Sequence, residues 1–351
     1  SVSRKRCVFL HEYETRRILS CASAVDPVKF PWTAPRHKGR DEELRDQLQN
    51  RPRGVVHVTH NDLDAVGCDA IHRRVFDPVT TVFCSVGRFP HVMSEISRIH
   101  GEGDTLSISD LGYFQGSESV VDAIREQGWR VEWRDHHRWR DDERARVEKN
   151  CTLLSVQVDT CATGICARDL APDDAISREV ARVVCDYDLW IHADPRSAVL
   201  GQVLQRKKNR EYVRDCLVQG IFSDERIMAQ YREIREEMER LMEKSIRKAQ
   251  VRGDRYRIAF APLYGYPSET AAGMRSTLST DMEVLISPSG RFSLRSVPPV
   301  SHILARNFGG GGHPNAAGGN FPFSFWDGVL FRLFGRSPYI DRFVEIAESL
   351  E

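Results

Sequence analysis

The sequence has no excess of charge of either sign: 50 Lys and Arg stand against 50 Asp and Glu. Such a chain has no global field to draw in long duplex DNA, although a local basic cleft suffices for a short nucleic acid. No apolar run reaches membrane-spanning length and no signal peptide is visible, so no membrane partner is expected. The nine cysteines are odd in number and scattered, and none forms Cys-x-x-Cys, which argues against a zinc knuckle. Reduced thiols in a cytoplasmic protein are the simplest reading. At 351 residues there is material for about two domains. Residues 1–53 carry no recognisable chemistry. Pro27, Pro31 and Pro35 break any long periodicity, and only Asp41 to Asn50 suits a charged helix. This N-terminal extension reads as packed or as an assembly arm.

What is present begins at Gly54. Strand-like runs at Val55–Thr59, Val79–Cys84, Thr105–Ser109, Arg130–Trp133 and Leu153–Val158 alternate with helix-like runs at Ala65–Phe76, Pro90–His100, Ser117–Gln127, Cys161–Leu170 and Ala175–Tyr187. Strands separated by helices of this length predict right-handed βαβ units. The expected fold is α/β, with a mostly parallel sheet flanked by helices.

The residues that follow three of those strands carry the chemistry. His60, Asp62 and Asp64 follow the first, Asp110 the third, and Asp135, His136 and His137 the fourth. Parallel sheets place their ligands at the carboxyl ends of strands. Any one acid there is ordinary turn or cap chemistry. Three strands delivering acids and imidazoles to one edge point to a metal crevice, because crowded carboxylates repel unless a cation separates them. A further acid, Asp186, closes a helical run, with Asp188 two residues on. Oxygen and nitrogen donors without thiolate favour Mn²⁺ or Mg²⁺ over structural zinc.

Here the sequence resembles the DHH phosphoesterase superfamily, named for the triplet that stands as Asp135-His136-His137. Its first motif resembles His60-Asn61-Asp62-Leu63-Asp64, its second Ser109-Asp110-Leu111-Gly112, and its fourth Asp186-Tyr187-Asp188. A downstream stretch, Phe292 to Ser296 followed by Phe308-Gly309-Gly310-Gly311-Gly312-His313 and Ala316-Ala317-Gly318-Gly319, is similar to the small DHH-associated domain. The likeness runs over residues 54–325. It implies a catalytic domain at 54–195, a helical connector at 196–253, an associated substrate-binding domain at 254–325 and an active site in the cleft between the two domains. The tail at 326–351 lies beyond the likeness; the apolar faces of Val329, Leu330, Leu333 and Phe334 and of Ile340, Phe343, Val344 and Ile346 read as packed terminal helices that leave room for a homodimer.

The resemblance also implies a ligand scheme for two Mn²⁺ ions, with Mg²⁺ as the substitute. Asp62, helped by His60, holds one ion; Asp64, His136 and Asp186 hold the other; Asp110 bridges. Asp135 orients a histidine, and His137 faces the phosphate as an acid or a charge stabiliser. Asp188 reads as a cap or ion-pair residue.

Further along, Ile227, Tyr231, Ile234, Met238, Leu241 and Ile246 recur at helical spacing and predict one long amphipathic connector over Ser223–Gln250. The basic run Arg206-Lys207-Lys208-Asn209-Arg210 reads as a solvated turn. Gly310, Gly311 and Gly312 let backbone amides approach an anion, with His313 beside them. Arg295 is placed to grip a phosphate; Arg275 is the weaker candidate, read otherwise as a surface helix arginine.

The function expected is a Mn²⁺-dependent phosphodiesterase or exonuclease, a nanoRNase-like enzyme that degrades short single-stranded RNA or DNA to mononucleotides from the 3′ end. The alternatives are hydrolysis of 3′-phosphoadenosine 5′-phosphate or of a cyclic dinucleotide, and a catalytically dead DHH scaffold in a nucleic-acid complex. The filled ligand positions argue for an enzyme.

Overall fold

The computed structural model describes residues 38–350 except Trp190. Most of the N-terminal extension read from the sequence therefore lies outside the described residues. The first unit runs through α1 (Lys38–Gln49), β1 (Val55–Thr59), α2 (Leu63–Val75), β2 (Val79–Phe83), α3 (Phe89–Ile96), β3 (Thr105–Ser109), α4 (Ser117–Glu126), β4 (Arg130–Asp135), α5 (Asp141–Glu148), β5 (Leu153–Val156), α6 (Ala162–Leu170) and α7 (Ala175–Asp188). All five strands are parallel, in the order β2-β1-β3-β4-β5. Both β1 and β3 are buried at every position, as in a parallel sheet covered on both faces, and their polar residues His57, Ser107 and Ser109 find hydrogen-bond partners inside it.

Register decides where the site forms. Thr59 lies beside Ser109, and Ser109 beside Arg134. The carboxyl ends of β1, β3 and β4 are therefore level, and the residues that follow them emerge along one edge. On one side of the sheet Val56, Val58, Leu106, Ile108, Val131 and Trp133 pack with Phe89, Met93 and Ile124 from α3 and α4. On the other side Leu63 and Val66 of α2 share a core with Val180, Val183 and Val184 of α7.

That second core continues into α8 (Pro195–Val203), a 3₁₀ turn at Lys207–Asn209 and α9 (Arg210–Val218), through Leu200, Val203, Val213 and Leu217. Half of the stretch read as connector thus packs as part of the first unit. The single long helix α10 (Glu225–Ile246) spans to the second, with Asp224 capping its start through Ile227 N–H.

The second unit comprises β6 (Gln250–Arg252), β7 (Ile258–Pro262), α11 (Pro267–Leu278), β8 (Met282–Ile286), β9 (Arg291–Ser296), α12 (Ser301–Arg306), β10 (Gly311–His313), β11 (Ala316–Asn320), α13 (Phe325–Phe334) and α14 (Pro338–Glu348). Its sheet has the order β10-β11-β9-β8-β7-β6; only β7 and β8 run parallel. Phe260, Phe292, Leu294, Phe308 and Phe321 pack against Phe331, Ile340 and Phe343. The aromatic tail thus closes this core. Among the described residues no helix is long and apolar enough to cross a membrane.

One expectation is corrected. Cys161 and Cys185 form a disulfide, with their Cα atoms 5.2 Å apart; Cys68, Cys84, Cys151, Cys166 and Cys216 are free. The start of α6 crosses the last turn of α7 here, so two cysteines 24 positions apart meet without any motif to announce it.

Candidate metal centre

β1 ends at Thr59, and the loop that follows turns at once into α2. Asp62 is the cap of that helix, its Oδ1 accepting from Ala65 N–H at 3.1 Å. The cap leaves Oδ2 available, and it lies 2.7 Å from His60 Nδ1. The same imidazole nitrogen is 3.7 Å from Asp110 Oδ2. Asp62 is thus both a cap and a member of the site.

Asp64 sits in the first turn of α2 and is 1% exposed. Its two oxygens accept from Ala162 N–H at 2.8 Å and Thr163 N–H at 2.7 Å, the first amides of α6. The Thr163 hydroxyl donates to the Asp64 carbonyl. A helix N-terminus is a natural cradle for a carboxylate. The two helices come this close because Gly67 faces Thr163: a Cβ there would lie 2.5 Å from the Thr163 hydroxyl.

Asp110 follows β3 with φ of 54°, in the left-handed region. Aspartate tolerates that conformation better than most residues, yet a strained backbone of this kind concentrates at working sites. The turn leaves Asp110 buried in the cleft between the His60 and His136 side chains, with Oδ1 3.4 Å from His136 Nε2. Its Oδ2 is buried and has no hydrogen-bond partner.

Strand β4 delivers the triplet. Asp135, its last residue, is fully buried and accepts from Trp139 Nε1 at 2.7 Å, while its other oxygen is 2.8 Å from His137 Nδ1. His136 Nε2 is 3.7 Å from Asp64 Oδ2, and its Nδ1 is 3.7 Å from Asp188 Oδ2. Three groups of potential ligand atoms result, each within 4.8 Å: His60, Asp62 and Asp110; Asp64, His136 and Asp188; Asp110, His136 and His137.

The electrostatics ask for cations. Burial, then the Asp188 and Asp62 charges, push the Asp64 carboxyl up to about 8. Burial, then Asp64 and Asp62, hold Asp110 well above the ordinary carboxylate range, and burial raises Asp188. Asp62 is pushed up by burial too, but the His60 hydrogen bond and charge bring it below its usual value. The Asp135 hydrogen bond outweighs burial at His137 and raises its pKa. An orphaned carboxylate oxygen among acids that suppress one another's ionisation, with only oxygen and nitrogen donors, fits hard divalent ions.

No family model matches the sequence, and no curated protein matches it. Solved structures do match the fold. The DHH domain of a member of the S1P family of ribosomal proteins aligns with a TM-score of 0.54 at 12% identity, over 89% of this chain and 90% of that one. This is the DHH fold. A pGpG-specific phosphodiesterase, PggH, from Vibrio cholerae aligns with a TM-score of 0.53 at 12% identity, over 80% of this chain and 97% of that one. RecJ from Thermus thermophilus, in complex with Mn²⁺, aligns with a TM-score of 0.51 at 15% identity, over 89% of this chain and 54% of that one. The five-stranded parallel unit, with its level carboxyl edge, carries the crowded acids and imidazoles.

Within that unit the structure brings together His60, Asp62, Asp64, Asp110, His136 and His137, with Asp135 behind His137. It does not bring Asp186 to them. Asp186 accepts from Ala193 N–H, Asp194 N–H and the Ser197 hydroxyl, and so ties the end of α7 to the start of α8. Asp188 takes the place expected for Asp186. The two acids lie about 200° apart around a helix of 3.6 residues per turn, so only one can face the sheet edge.

In the second unit, Arg275 pairs with Glu283, which is fully buried, and so serves that fold rather than a substrate. Burying Glu283 without a cationic partner would be costly. Arg295 is half-buried; it donates to the Ser293 hydroxyl, the Leu294 carbonyl and the Ser268 hydroxyl, and burial lowers its pKa. Gly310, Gly311 and Gly312 lead into and form an edge strand rather than an open anion loop. A Cβ on Gly310 would lie 1.9 Å from the Gly318 carbonyl oxygen, and one on Gly312 2.6 Å from that of Ala316, whereas Gly311 faces open space. The side chain of His313 lies outside the described residues. Sequence reasoning missed Thr163 and Trp139, which position Asp64 and Asp135; neither stands in a motif.

Proposed function

We propose that this chain is a two-metal phosphodiesterase that hydrolyses short single-stranded oligonucleotides to mononucleotides, from the 3′ end. The observation that carries the reading is the Asp110 carboxylate, buried between two ligand groups with one oxygen unmatched. His60, Asp62 and Asp110 would hold one Mn²⁺; Asp64, His136 and Asp188 would hold the other. Bound there, such ions supply Lewis acidity, neutralising phosphate charge and making hydroxide available near neutral pH.

The chain's own residues do the rest. The amides of Ala162 and Thr163 fix the Asp64 carboxylate so that it does not reorganise during turnover. Asp135 holds the His137 ring at Nδ1 and keeps it protonated, leaving Nε2 to donate a proton to the leaving oxygen. Arg295 and the backbone at Gly311, whose Cα faces open space, hold the substrate phosphate from the second unit. The Vibrio cholerae neighbour is a pGpG-specific phosphodiesterase, and pGpG is a linear dinucleotide, which supports a short substrate here. The manganese in the RecJ structure supports the choice of ion.

The test is a panel of substrates with Mn²⁺: dinucleotides, five-mers, long single strands, cyclic dinucleotides and 3′-phosphoadenosine 5′-phosphate. Short oligonucleotides should turn over fastest. Asp110→Ala should lower kcat by about 10³-fold or more while leaving the circular dichroism spectrum unchanged. Full turnover by that variant would exclude the two-metal site.

A further inference from the structure

Only the middle of the basic run at 206–210 forms the solvated turn that its composition predicts: Lys207 and Lys208 are exposed on a 3₁₀ turn, and the arginines at either end are not. Arg206 is tied to Glu233 and Glu237 of α10. Arg210 opens α9 and turns inward, its guanidinium carbon 4.5 Å from the centre of the Phe83 ring at the end of β2. Its Nε and Nη2 are buried and have no hydrogen-bond partner. A guanidinium kept only for stacking on a ring would be expected to spend those donors on backbone carbonyls. Two buried, unmatched N–H groups on a permanent cation are costly until something supplies acceptors.

The space beside them is a cavity of about 410 Å³. Asn61, Phe83 and Ser85 line it from the carboxyl edge of the sheet, and Lys207 and Arg210 line it from the start of α9. Four cations, Arg40, Arg88, Lys207 and Arg210, face it against one acid, Glu43; Arg88 is engaged by Asp41. The N-terminus of α9 has no side-chain cap. Asn61 lies between His60 and Asp62, so the cavity opens directly beside the metal centre, and the Asp62 charge acts on Arg210.

We infer that this cavity is a second phosphate subsite, in which Arg210 and Lys207 hold the phosphate next along the strand from the one undergoing hydrolysis. The inference rests on the phosphodiesterase reading above. Planar, paired N–H groups suit two phosphate oxygens, and the uncapped helix start adds favourable partial charge. The consequence concerns substrate class: this enzyme prefers molecules with at least two phosphates. A dinucleotide bearing a terminal phosphate fills both positions, whereas a dinucleoside monophosphate leaves Arg210 unmatched.

The experiment compares NpN, pNpN and NpNp as substrates with Mn²⁺. Methylphosphonate-linked versions of the three, which resist hydrolysis, serve for calorimetric binding. The wild-type protein should favour one of the doubly phosphorylated compounds in kcat/KM by about tenfold or more, the scale of a charge-assisted pair, and should bind its analogue correspondingly tighter. Whichever terminal phosphate is favoured gives the polarity. In Arg210→Gln both ratios should collapse towards one. Lys207→Gln, an exposed position, should reduce them several-fold and guards against a folding defect in the first variant. Equal treatment of the three compounds by the wild type, or a preference that survives both substitutions, would overturn the subsite while leaving the phosphodiesterase reading intact. Failure of the wild type to hydrolyse any of the three would remove both.

Discussion

Asp186 and Asp188 separate two roles that a motif cannot. One carboxylate stitches α7 to α8 through three hydrogen bonds; the other reaches the His136 imidazole. Asp188→Asn should weaken Mn²⁺ binding by about 100-fold or more, measured by calorimetry, with little change in melting temperature of the metal-free protein. Asp186→Asn should do the reverse, lowering the melting temperature by several degrees while largely retaining the ion. Asp135 acts one step further out. Its hydrogen bond raises the pKa of His137, so Asp135→Asn should lower it. An acid with a lower pKa loses its proton sooner as pH rises. The alkaline limb of the pH–kcat profile should therefore move to lower pH in Asp135→Asn, and an unmoved limb would detach His137 from proton transfer. At this scale the sequence is informative wherever a residue follows a strand directly. His60, Asp62, Asp64, Asp110 and His136 need only strand ends and a sense of direction. Asp188 is not legible, because helical phase depends on how α7 packs. Arg210 is not legible either, because a basic run looks the same whether it faces water or a cavity.

At the scale of elements, the glycine run illustrates what one dimension conceals. From sequence it reads as an anion loop; in space it makes an edge strand against β11. Gly310 and Gly312 are required by the neighbouring backbone, and Gly312 also has φ of 143°. Gly312→Ala should destabilise the protein by about 1–3 kcal/mol in denaturant titrations, the range for forced overpacking. Gly311→Ala, with open space at its Cβ position, should leave stability nearly unchanged and raise KM instead. A fall in stability for Gly311→Ala would mean that its amide serves the strand rather than the substrate. The strands of the first sheet are legible almost to the residue, because buried parallel strands are short, β-branched and bounded. Helix α8 is not legible as an element, since it shows no apolar stripe in isolation, and the short stripe of α9, Val213, Cys216 and Leu217, spans little more than one turn; both belong to a core shared with α2, α7 and the start of α10.

The whole molecule carries a charge problem at its centre, and this sets its dependence on pH. Asp64 titrates near 8 in the ion-free fold against about 4 when unfolded, so between those values the folded state holds a proton that the unfolded chain has released. Stability of the metal-free protein should therefore fall as pH rises from about 5 to about 8. Mn²⁺ bound there would replace those protons, so its addition should raise the melting temperature more at the upper end of that range than at the lower. Scanning calorimetry with and without chelator checks both signs. An equal rise at the two ends would place the ion away from Asp64.

Strand β10 ends the second sheet, so among the described residues its outer rim has no neighbouring strand, and two of its three residues have no side chain. Along the two glycines that rim has peptide dipoles and nothing else to offer. A strand of substrate laid there would be gauged by its path and spacing, and the letters it carries would go unread.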